Sequence, residues 1–255
     1  MLKNLTKYTF FKKIITSLGI RILKFFKINR RFFNINGFKM FLDFLDPIDR
    51  QVILHEEYEA EEINILTSLI KVNSITKFID IGANCGFYTF KFARQNIEVF
   101  SFEPNLDAFK KIKKTLNKNE HLKKNIKIFP YGISNQNSKL EMISMIKHGY
   151  VQTGGSGVIS SKKPRSGNFK IYEADFKVGD ELLDFQNNNL AIKIDVEGHE
   201  LNVLRGLSNL ITKNKCIIQI EIFEKNFNEI NSYLIEKGYC LKDKFEKRSN
   251  YFYLN

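Results

Sequence analysis

FIDIGANCG, residues 78–86, is the stretch that decides the fold: a short apolar strand carries an acidic residue near its end and enters a turn with two glycines. The apolar spacing of residues 87–95 then predicts a helix. Gly82 and Gly86 allow the backbone to turn sharply and let a ligand approach the main chain. Amides at the start of the helix favour an anionic or carbonyl group. The segment therefore predicts a ligand site at the end of a buried strand.

Strands and helices alternate along the chain from Lys77 onward. The predicted strands are 78–81, 98–102, 126–131, 191–195 and 216–222, and the predicted helices are 87–95, 105–119, 200–209 and 227–237. This alternation predicts an α/β fold with a Rossmann-like, mostly parallel sheet and helices on both faces. Short segments at 239–241 and 251–254 predict an antiparallel edge. Upstream, residues 37–45 favour a strand or hairpin, and residues 56–72 favour a helix.

Composition bounds the organisation of the chain. With 255 residues, of which 43% are hydrophobic, it is long enough to bury one α/β core. We expect residues 37–255 to form this domain and residues 1–36 to be an N-terminal extension. No apolar run approaches the roughly 20 residues that span a bilayer, so no transmembrane helix is predicted. Three widely spaced cysteines without a CxxC pair, and the lack of a secretory signal pattern, predict a cytoplasmic protein without disulfides or zinc.

The first 31 residues are strongly basic and contain no Asp or Glu, in a chain of net charge +12. Their basic residues are Lys3, Lys7, Lys12, Lys13, Arg21, Lys24, Lys27, Arg30 and Arg31. Between Phe10 and Phe26, apolar residues recur at three- and four-residue spacing, which predicts a basic amphipathic helix. Such a helix can pack on the domain or on a second subunit, or lie peripherally on the anionic inner face of a membrane. The sequence leaves these alternatives and the oligomeric state open.

The interval 147–168 is polar and rich in glycine and serine, and it predicts one long loop. A loop of this length inside a compact domain is usually a lid or a binding loop. Because it lies beside the carboxyl edge of the predicted sheet, we expect a lid.

A second strand end supplies an acidic residue suited to a nucleoside. Glu103 stands 21 residues after Gly82, a distance at which an acidic side chain can accept hydrogen bonds from both ribose hydroxyls. The turn has the spacing G-x-x-x-G instead of G-x-G-x-x-G. Asp80 beside it would repel a pyrophosphate but can pair with an ammonium group. The charge pattern therefore favours S-adenosylmethionine over NAD.

IKIDVEGHE, residues 192–200, places four ionisable groups in its last six residues, around a glycine at a further strand end. Two simpler interpretations exist: Glu197 or Glu200 opens the following helix, and His199 is an ordinary surface histidine. The position at the carboxyl end of a central strand favours a functional site instead.

Taken together, the motifs resemble the FkbM family of methyltransferases. The resemblance is carried by FIDIGANCGFYTFKFA at 78–93, VFSFEPN at 99–105, YGISN at 131–135, GGSGV at 154–158 and IKIDVEGHELNVLRG at 192–206. It extends over residues 37–254 and implies a class I methyltransferase fold with S-adenosylmethionine-dependent O-methylation of a saccharide or related metabolite.

The resemblance also implies roles for single residues. It assigns the methionine end of the donor to Asp80, Gly82, Asn84 and Gly86, the ribose to Glu103, and the surroundings of adenosine to Asn105, Ile133 and Ser134. Cys85 and Tyr88 occupy variable places in the motif, so it assigns them no role.

Methyl transfer to oxygen requires alignment of donor and acceptor and removal of the hydroxyl proton. His199 is the predicted general base, because an imidazole with its ordinary pKa accepts a proton at neutral pH. Asp195 and Glu197 are further catalytic candidates that would orient the donor or bind the hydroxyl. Together with Glu221 these carboxylates also suit a divalent metal such as magnesium, which is possible here but not predicted.

Other functions fit the sequence less well. A nucleotide-sugar or NAD-binding protein with the same sheet is the alternative. Nucleic-acid methylation is disfavoured because the chain has no (D/N)PP(Y/F)-like segment and no recognition module. We therefore expect a small-molecule or glycan acceptor and no nucleic-acid partner.

Overall fold

The computed structural model describes residues 28–147, 150–160, 167–245 and 249–255. The predicted amphipathic helix between Phe10 and Phe26 lies outside these residues, so its contact with a membrane, a second subunit or the domain stays a prediction. In the described ranges, no helix is both long and apolar enough to cross a bilayer.

The elements follow one another in an alternating order from the third strand onward. The strands are β1 Arg30–Ile35, β2 Phe38–Asp43, β3 Lys77–Ile81, β4 Glu98–Phe102, β5 Ile126–Phe129, β6 Gly132–Ser134, β7 Ser138–Lys147, β8 Tyr150–Val151, β9 Gly157–Val158, β10 Asn168–Val178, β11 Asn189–Ile194, β12 Lys215–Glu221, β13 Cys240–Phe245 and β14 Asn250–Leu254. The α-helices are α1 Pro47–His55, α2 Ala60–Val72, α3 Phe87–Ala93, α4 Leu106–Lys118, α5 Glu200–Gly206, α6 Ser208–Lys213 and α7 Phe227–Glu236. Short 3-10 turns lie at Glu120–Asn125, Gly179–Glu181 and Glu224–Asn226.

The main sheet has seven strands in the order β13-β14-β12-β11-β3-β4-β5. The five strands from β12 to β5 are parallel, and β14 pairs antiparallel with β12 and with β13. The predicted parallel sheet with an antiparallel edge is therefore confirmed. Strand order reverses between β3 and β11, the point at which open sheets of this kind bind ligands.

Two apolar clusters cover the two faces of this sheet, so the predicted placement of helices on both faces is also confirmed. One cluster packs α2, α3 and α4 on the sheet through buried residues such as Leu66, Phe90 and Ile112. The other packs α5, α6 and α7 on the opposite face through Leu204, Ile211 and Leu234. Burial on both faces explains why the central strands are nearly continuous apolar runs.

A second sheet, in the order β6-β10-β7-β8 with β9 on β7, corrects the predicted long loop at 147–168. The long strands β7 and β10 pair antiparallel on either side of that interval, and β8 and β9 lie within it. These strands bury only a small apolar cluster that includes Met142, Val158 and Phe176. Lysine, glutamate and serine therefore alternate with the apolar residues, which makes the strands resemble loop in the sequence.

Two predicted helices have different bounds in the structure. The segment 56–72 does not form one helix: α1 ends and α2 begins around Glu56 and Glu59, which both have positive φ angles. The segment 200–209 is divided at Leu207, whose φ of −112° leaves the helical range.

The first two strands form a hairpin. Residues from Arg30 to Ile35 pair antiparallel with residues from Phe38 to Asp43. Asn36 and Gly37 connect them with φ angles of 49° and 84°, the left-handed pair that a two-residue hairpin turn uses. The hairpin joins residues on both sides of the predicted boundary at residue 36.

Candidate functional site

A pocket opens at the carboxyl edge of the main sheet, where β3 and β11 lie side by side. Its walls come from the ends of β3, β4, β11 and β12, from the start of α2 and from the segment 153–156. It encloses about 990 Å³ of empty space, part of which is open to solvent. A concave site of this size and position is suited to a nucleoside-sized ligand.

The turn after β3 packs directly against the end of β11. Gly82 has a φ of +84°, and a Cβ atom at this position would lie 1.9 Å from the carbonyl oxygen of Asp195. The amides of Gly82 and Ala83 both donate to the carbonyl oxygen of Phe102, which ties the turn to β4. Glycine is therefore required at position 82 by both conformation and space.

Asp80 presents an unpaired oxygen within this pocket. Its carboxyl group is buried, and Oδ2 accepts a hydrogen bond of 2.6 Å from the Thr89 hydroxyl. Oδ1 is buried and has no hydrogen-bond partner in the structure. Burial raises the pKa of Asp80, although the nearby Lys193 ammonium opposes this shift. A buried acceptor without a partner is costly, so this oxygen points to a bound donor group.

Glu103 occupies the other side of the turn and is held by main-chain amides. Its Oε2 accepts from the amide of Asn84 and its Oε1 from the amide of Asn105, each at 2.7 Å. Burial raises the pKa of Glu103 to about 7, against the effect of these two hydrogen bonds. The carboxyl group is therefore rigidly oriented, with further lone-pair positions for ligand hydroxyls.

The remaining predicted donor residues divide into two groups. Asn84 and Ile133 line the pocket together with Asp80, Gly82 and Glu103, whereas Gly86, Asn105 and Ser134 are not in its lining. Gly86 precedes α3, and Asn105 caps α4 by accepting from the amides of Asp107 and Ala108.

An acidic group of side chains with one buried lysine forms another wall of the pocket. Lys193 is only 4% exposed, and its Nζ lies 2.8 Å from Oδ2 of Asp195. Burial disfavours its charge, but the carboxylates of Asp195, Glu59 and Asp80 outweigh this and raise its pKa above the ordinary value. The Tyr88 ring centroid lies 4.8 Å from the ammonium group. Lys193 thus stays charged inside the sheet edge.

Glu221 and Glu59 complete the acidic wall. Burial, followed by the neighbouring Asp195 and Glu197 carboxylates, raises the pKa of Glu221 to about 9. Glu59 accepts a hydrogen bond of 2.8 Å from the Tyr88 hydroxyl, and burial raises its pKa as well. Both groups line the pocket, and the protonated carboxyl group of Glu221 faces the ligand space at neutral pH.

His199 lies at the pocket wall, 5% exposed, with both ring nitrogens engaged. Nε2 is 3.0 Å from the Ser134 hydroxyl and Nδ1 is 3.2 Å from the side-chain amide of Asn202. The ring packs edge-on against Phe176. Burial lowers the pKa of His199 to about 4, so the imidazole is neutral at physiological pH.

Glu197 also lines the pocket, from a strained backbone. Its φ is +57°, in the left-handed region that a non-glycine residue rarely adopts, and such positions cluster at functional sites. Across the residues that the structure describes, no three His, Cys, Asp or Glu side chains are grouped to hold a metal ion.

The segment 153–156 covers the pocket and is tied to its turn. The Thr153 hydroxyl lies 2.8 Å from Oδ2 of Asp46 and 3.0 Å from Oδ1 of Asn84. Lys111 donates to the same hydroxyl and to both oxygens of Asp49. This buried network fixes the described part of the predicted lid above the ligand site.

Sequence reasoning missed several of these residues, above all Lys193, Glu59 and Thr153. A signal for Lys193 was present: a lysine between isoleucines in an apolar strand needs a buried carboxylate partner. The strand register supplies it, because Lys193 pairs with Asp80 across β11 and β3. No comparable signal marks Glu59 or Thr153, which reach the site from distant parts of the chain.

The fold and the pocket at its switch point define a class I methyltransferase. Residues 80–241, more than half of the chain, match the family described as the methyltransferase FkbM domain. The chain therefore belongs to the FkbM methyltransferase family, as the sequence motifs predict.

Solved structures of methyltransferases align with the chain at low sequence identity. A methyltransferase FkbM from Methylobacillus flagellatus KT aligns with 16% identity and a TM-score of 0.51, over 71% of this chain and 44% of that one. The chain thus spans less than half of that protein. A human methyltransferase 10 domain containing protein aligns with 13% identity and a TM-score of 0.48, over 95% and 94%. The N-terminal domain of human METTL16 in complex with SAH aligns with 14% identity and a TM-score of 0.41, over 76% and 67%. No curated protein sequence matches the chain.

Proposed function

We propose that this protein transfers a methyl group from S-adenosylmethionine to a hydroxyl oxygen of a saccharide or related metabolite. The observation that carries the proposal is the pairing of two different carboxyl groups around one glycine turn. Asp80 presents an unpaired buried oxygen, and Glu103 presents a carboxyl group that main-chain amides hold in place. The first suits an ammonium group and the second suits ribose hydroxyls.

The residues present fit the donor on its nucleoside side. Glu103, Pro104 and Ile133 line this side of the pocket and offer hydrogen-bond acceptors beside apolar surface. A ribose can donate to the carboxyl group while adenine packs on the apolar wall.

The charge of the pocket fits the other end of the donor. Five carboxyl groups and one lysine line this part of the pocket: Glu59, Asp80, Asp195, Glu197, Glu221 and Lys193. Such a wall stabilises positive charge and disfavours a pyrophosphate. When bound, S-adenosylmethionine supplies an electrophilic methyl group on a positively charged sulfur. The chain's own residues have to hold it, exclude water and receive the proton of the acceptor.

Two features support a hydroxylic acceptor such as a saccharide. The chain belongs to the FkbM methyltransferase family, and the resemblance of its motifs implies O-methylation. The pocket also offers the carboxyl group of Glu59 and the ring of Tyr58 beside the acidic wall. Carboxyl groups that accept from hydroxyls next to an aromatic ring suit the alternating polar and apolar surface of a sugar.

Calorimetry with the purified full chain tests the donor. We expect S-adenosylhomocysteine and S-adenosylmethionine to bind and to raise the melting temperature, whereas NAD and UDP-sugars do not. Stabilisation by NAD or a UDP-sugar without any response to S-adenosylhomocysteine would favour the alternative nucleotide-binding function. A panel of free, nucleotide-linked and oligomeric saccharides, with release of S-adenosylhomocysteine as the readout, then tests the acceptor.

A further inference from the structure

Two carboxyl groups meet at the ends of neighbouring strands. Ile194 of β11 pairs with Ile220 of β12. The residues that follow them, Asp195 and Glu221, are therefore neighbours at the carboxyl edge of the sheet. Both line the pocket, side by side at the ends of two paired parallel strands. Two carboxyl groups this close share a proton, because both cannot ionise at little cost.

The surroundings decide which partner holds the charge. Lys193 on β11 forms its 2.8 Å ion pair with Asp195, which stabilises the ionised form of that residue. Further acidic groups close to the two residues are Asp80 on β3, Glu59 before α2, Glu197 after β11, and the phenol of Tyr58. Burial raises the pKa of Glu221 to about 9, and the neighbouring Asp195 and Glu197 carboxylates add to this shift. At neutral pH Glu221 is therefore the partner that holds a proton, and Asp195 is the partner in the ion pair with Lys193.

His199 is less suited to receive a proton from the acceptor. Both ring nitrogens already have hydrogen-bond partners, Ser134 and Asn202, so accepting a further proton requires a contact to break. The Ser134 contact joins β6 to the start of α5, and the Asn202 contact lies within that helix. The geometry fits a positioning residue there.

We propose that the Asp195–Glu221 pair, with Lys193 as its counter-ion, is the group that receives the acceptor proton. The inference rests on the proposed function. The acceptor oxygen forms a bond to the methyl carbon as the bond from that carbon to sulfur breaks, and the electron pair of that bond stays on sulfur. The hydroxyl proton passes to the ionised carboxylate of Asp195, so the pair holds one proton before the step and two after it. The loss of positive charge at sulfur is thereby matched by the loss of negative charge at the pair.

A titration tests the pair without any acceptor. In protein labelled with ¹³C at glutamate carboxyl groups, we expect one glutamate with a midpoint near pH 9 in the wild type. Glu221→Gln should remove this signal, and Asp195→Asn should move its midpoint toward the ordinary glutamate range. Glu224→Gln, an exposed substitution three residues away, should leave it unchanged. The absence of such a glutamate, or its persistence in Glu221→Gln, would overturn the proposal.

Kinetic measurements test whether the Asp195–Glu221 pair receives the acceptor proton. With a saccharide acceptor from the panel above, Glu221→Gln and Asp195→Asn should each lower kcat at least 100-fold, whereas the Kd for S-adenosylhomocysteine changes less than threefold in Glu221→Gln. His199→Asn should instead weaken donor binding and keep the wild-type pH profile of kcat. Wild-type turnover in Glu221→Gln overturns the role of the pair. If wild-type protein binds no S-adenosylhomocysteine, the proposed function itself fails.

Discussion

The two sides of the pocket stabilise carboxyl groups by different means. On the nucleoside side, Glu103 is held by two main-chain amides from the turns that flank it. On the acidic side, Asp195, Glu221 and Glu59 share the charge of one lysine, Lys193. Fixed dipoles orient a carboxyl group without adding a titrating partner, whereas a shared lysine leaves surplus protons among the carboxyl groups. The first arrangement suits binding, and the second suits proton transfer.

The largest effect is expected where the two sides touch, at Gly82. In Gly82→Ala the new methyl group would overlap the Asp195 carbonyl oxygen, and the φ of +84° adds backbone strain. We expect a loss of about 3 kcal/mol or more in the free energy of unfolding, as for other severe core changes. Urea denaturation measures the stability, and S-adenosylhomocysteine binding should be lost with it.

Gly238→Ala is the matched control for this substitution. Gly238 has a similar φ of +86°, but nothing lies within 4 Å of its would-be Cβ. Gly238→Ala should lower the free energy of unfolding by only about 1 to 2 kcal/mol, the cost of the left-handed conformation. Equal losses at both positions would show that the contact between the two sides of the pocket contributes nothing.

The next largest effects concern donor binding, to which the two sides of the pocket contribute different contacts. In Asp80→Asn the charge-assisted contact to an ammonium group is removed, worth about 1.5 to 3 kcal/mol, or roughly 10- to 150-fold in affinity. S-adenosylhomocysteine should therefore bind more weakly, whereas adenosine, which lacks the ammonium group, should bind as before. Calorimetry with both ligands measures the difference.

Glu103→Gln is the complementary variant. Because Glu103 faces the ribose in our proposal, both S-adenosylhomocysteine and adenosine should weaken by about tenfold, corresponding to the roughly 1.4 kcal/mol of a hydrogen bond to a charged group. Glu98→Gln, at the half-buried start of β4 and outside the pocket lining, should change neither affinity. An adenosine affinity that responds to Asp80→Asn but not to Glu103→Gln would reverse the assignment of the two sides.

The pH dependence of stability sharpens the contrast further. The pKa values of Glu103 and Glu221 are raised from 4.5 to about 7 and 9, so the stability they contribute is complete below pH 4.5 and is lost as pH rises toward 9. His199 acts in the opposite direction: its lowered pKa costs stability as pH falls from 6.5 toward 4. We expect the melting temperature to fall by a few degrees between pH 6.5 and 9.

Glu221→Gln should flatten the upper part of this fall, above about pH 8, where Glu103 has largely released its proton. The exposed Glu224→Gln should keep the wild-type curve. An unchanged slope in Glu221→Gln would mean that this carboxyl group does not hold its proton through folding.

The parallel sheet could be predicted because its strands are buried on both faces and connect through helices. Phe78–Ile81 and Ala191–Ile194 are nearly unbroken apolar runs. Strands β7 and β10 could not be predicted, because they are largely half-buried or exposed and carry charged residues along most of their length.

The candidate site divides in the same way. The glycine turn and Glu103 lie in continuous motifs, and spacing along the chain predicts their neighbourhood. The acidic side depends on contacts between strands and on a residue before α2, which no local spacing encodes. Lys193 opposite Asp80 and Asp195 beside Glu221 follow from strand register, which the sequence pattern specifies only loosely.

The smallest expected effect concerns the segment above the pocket. In Thr153→Val the hydroxyl that joins Asp46, Asn84 and Lys111 is lost, which leaves buried polar groups without a partner. We expect this to lower the free energy of unfolding by about 1 to 2 kcal/mol. Thr153→Ser keeps the hydroxyl and should retain most of that stability. Because the main-chain amide of Asn84 holds Glu103 on the nucleoside side, Thr153→Val should weaken adenosine and S-adenosylhomocysteine equally, by a few-fold. It should leave the titration of Glu221 near pH 9 unchanged. A shift of that titration would mean that the two sides of the pocket are coupled through the segment and do not act independently.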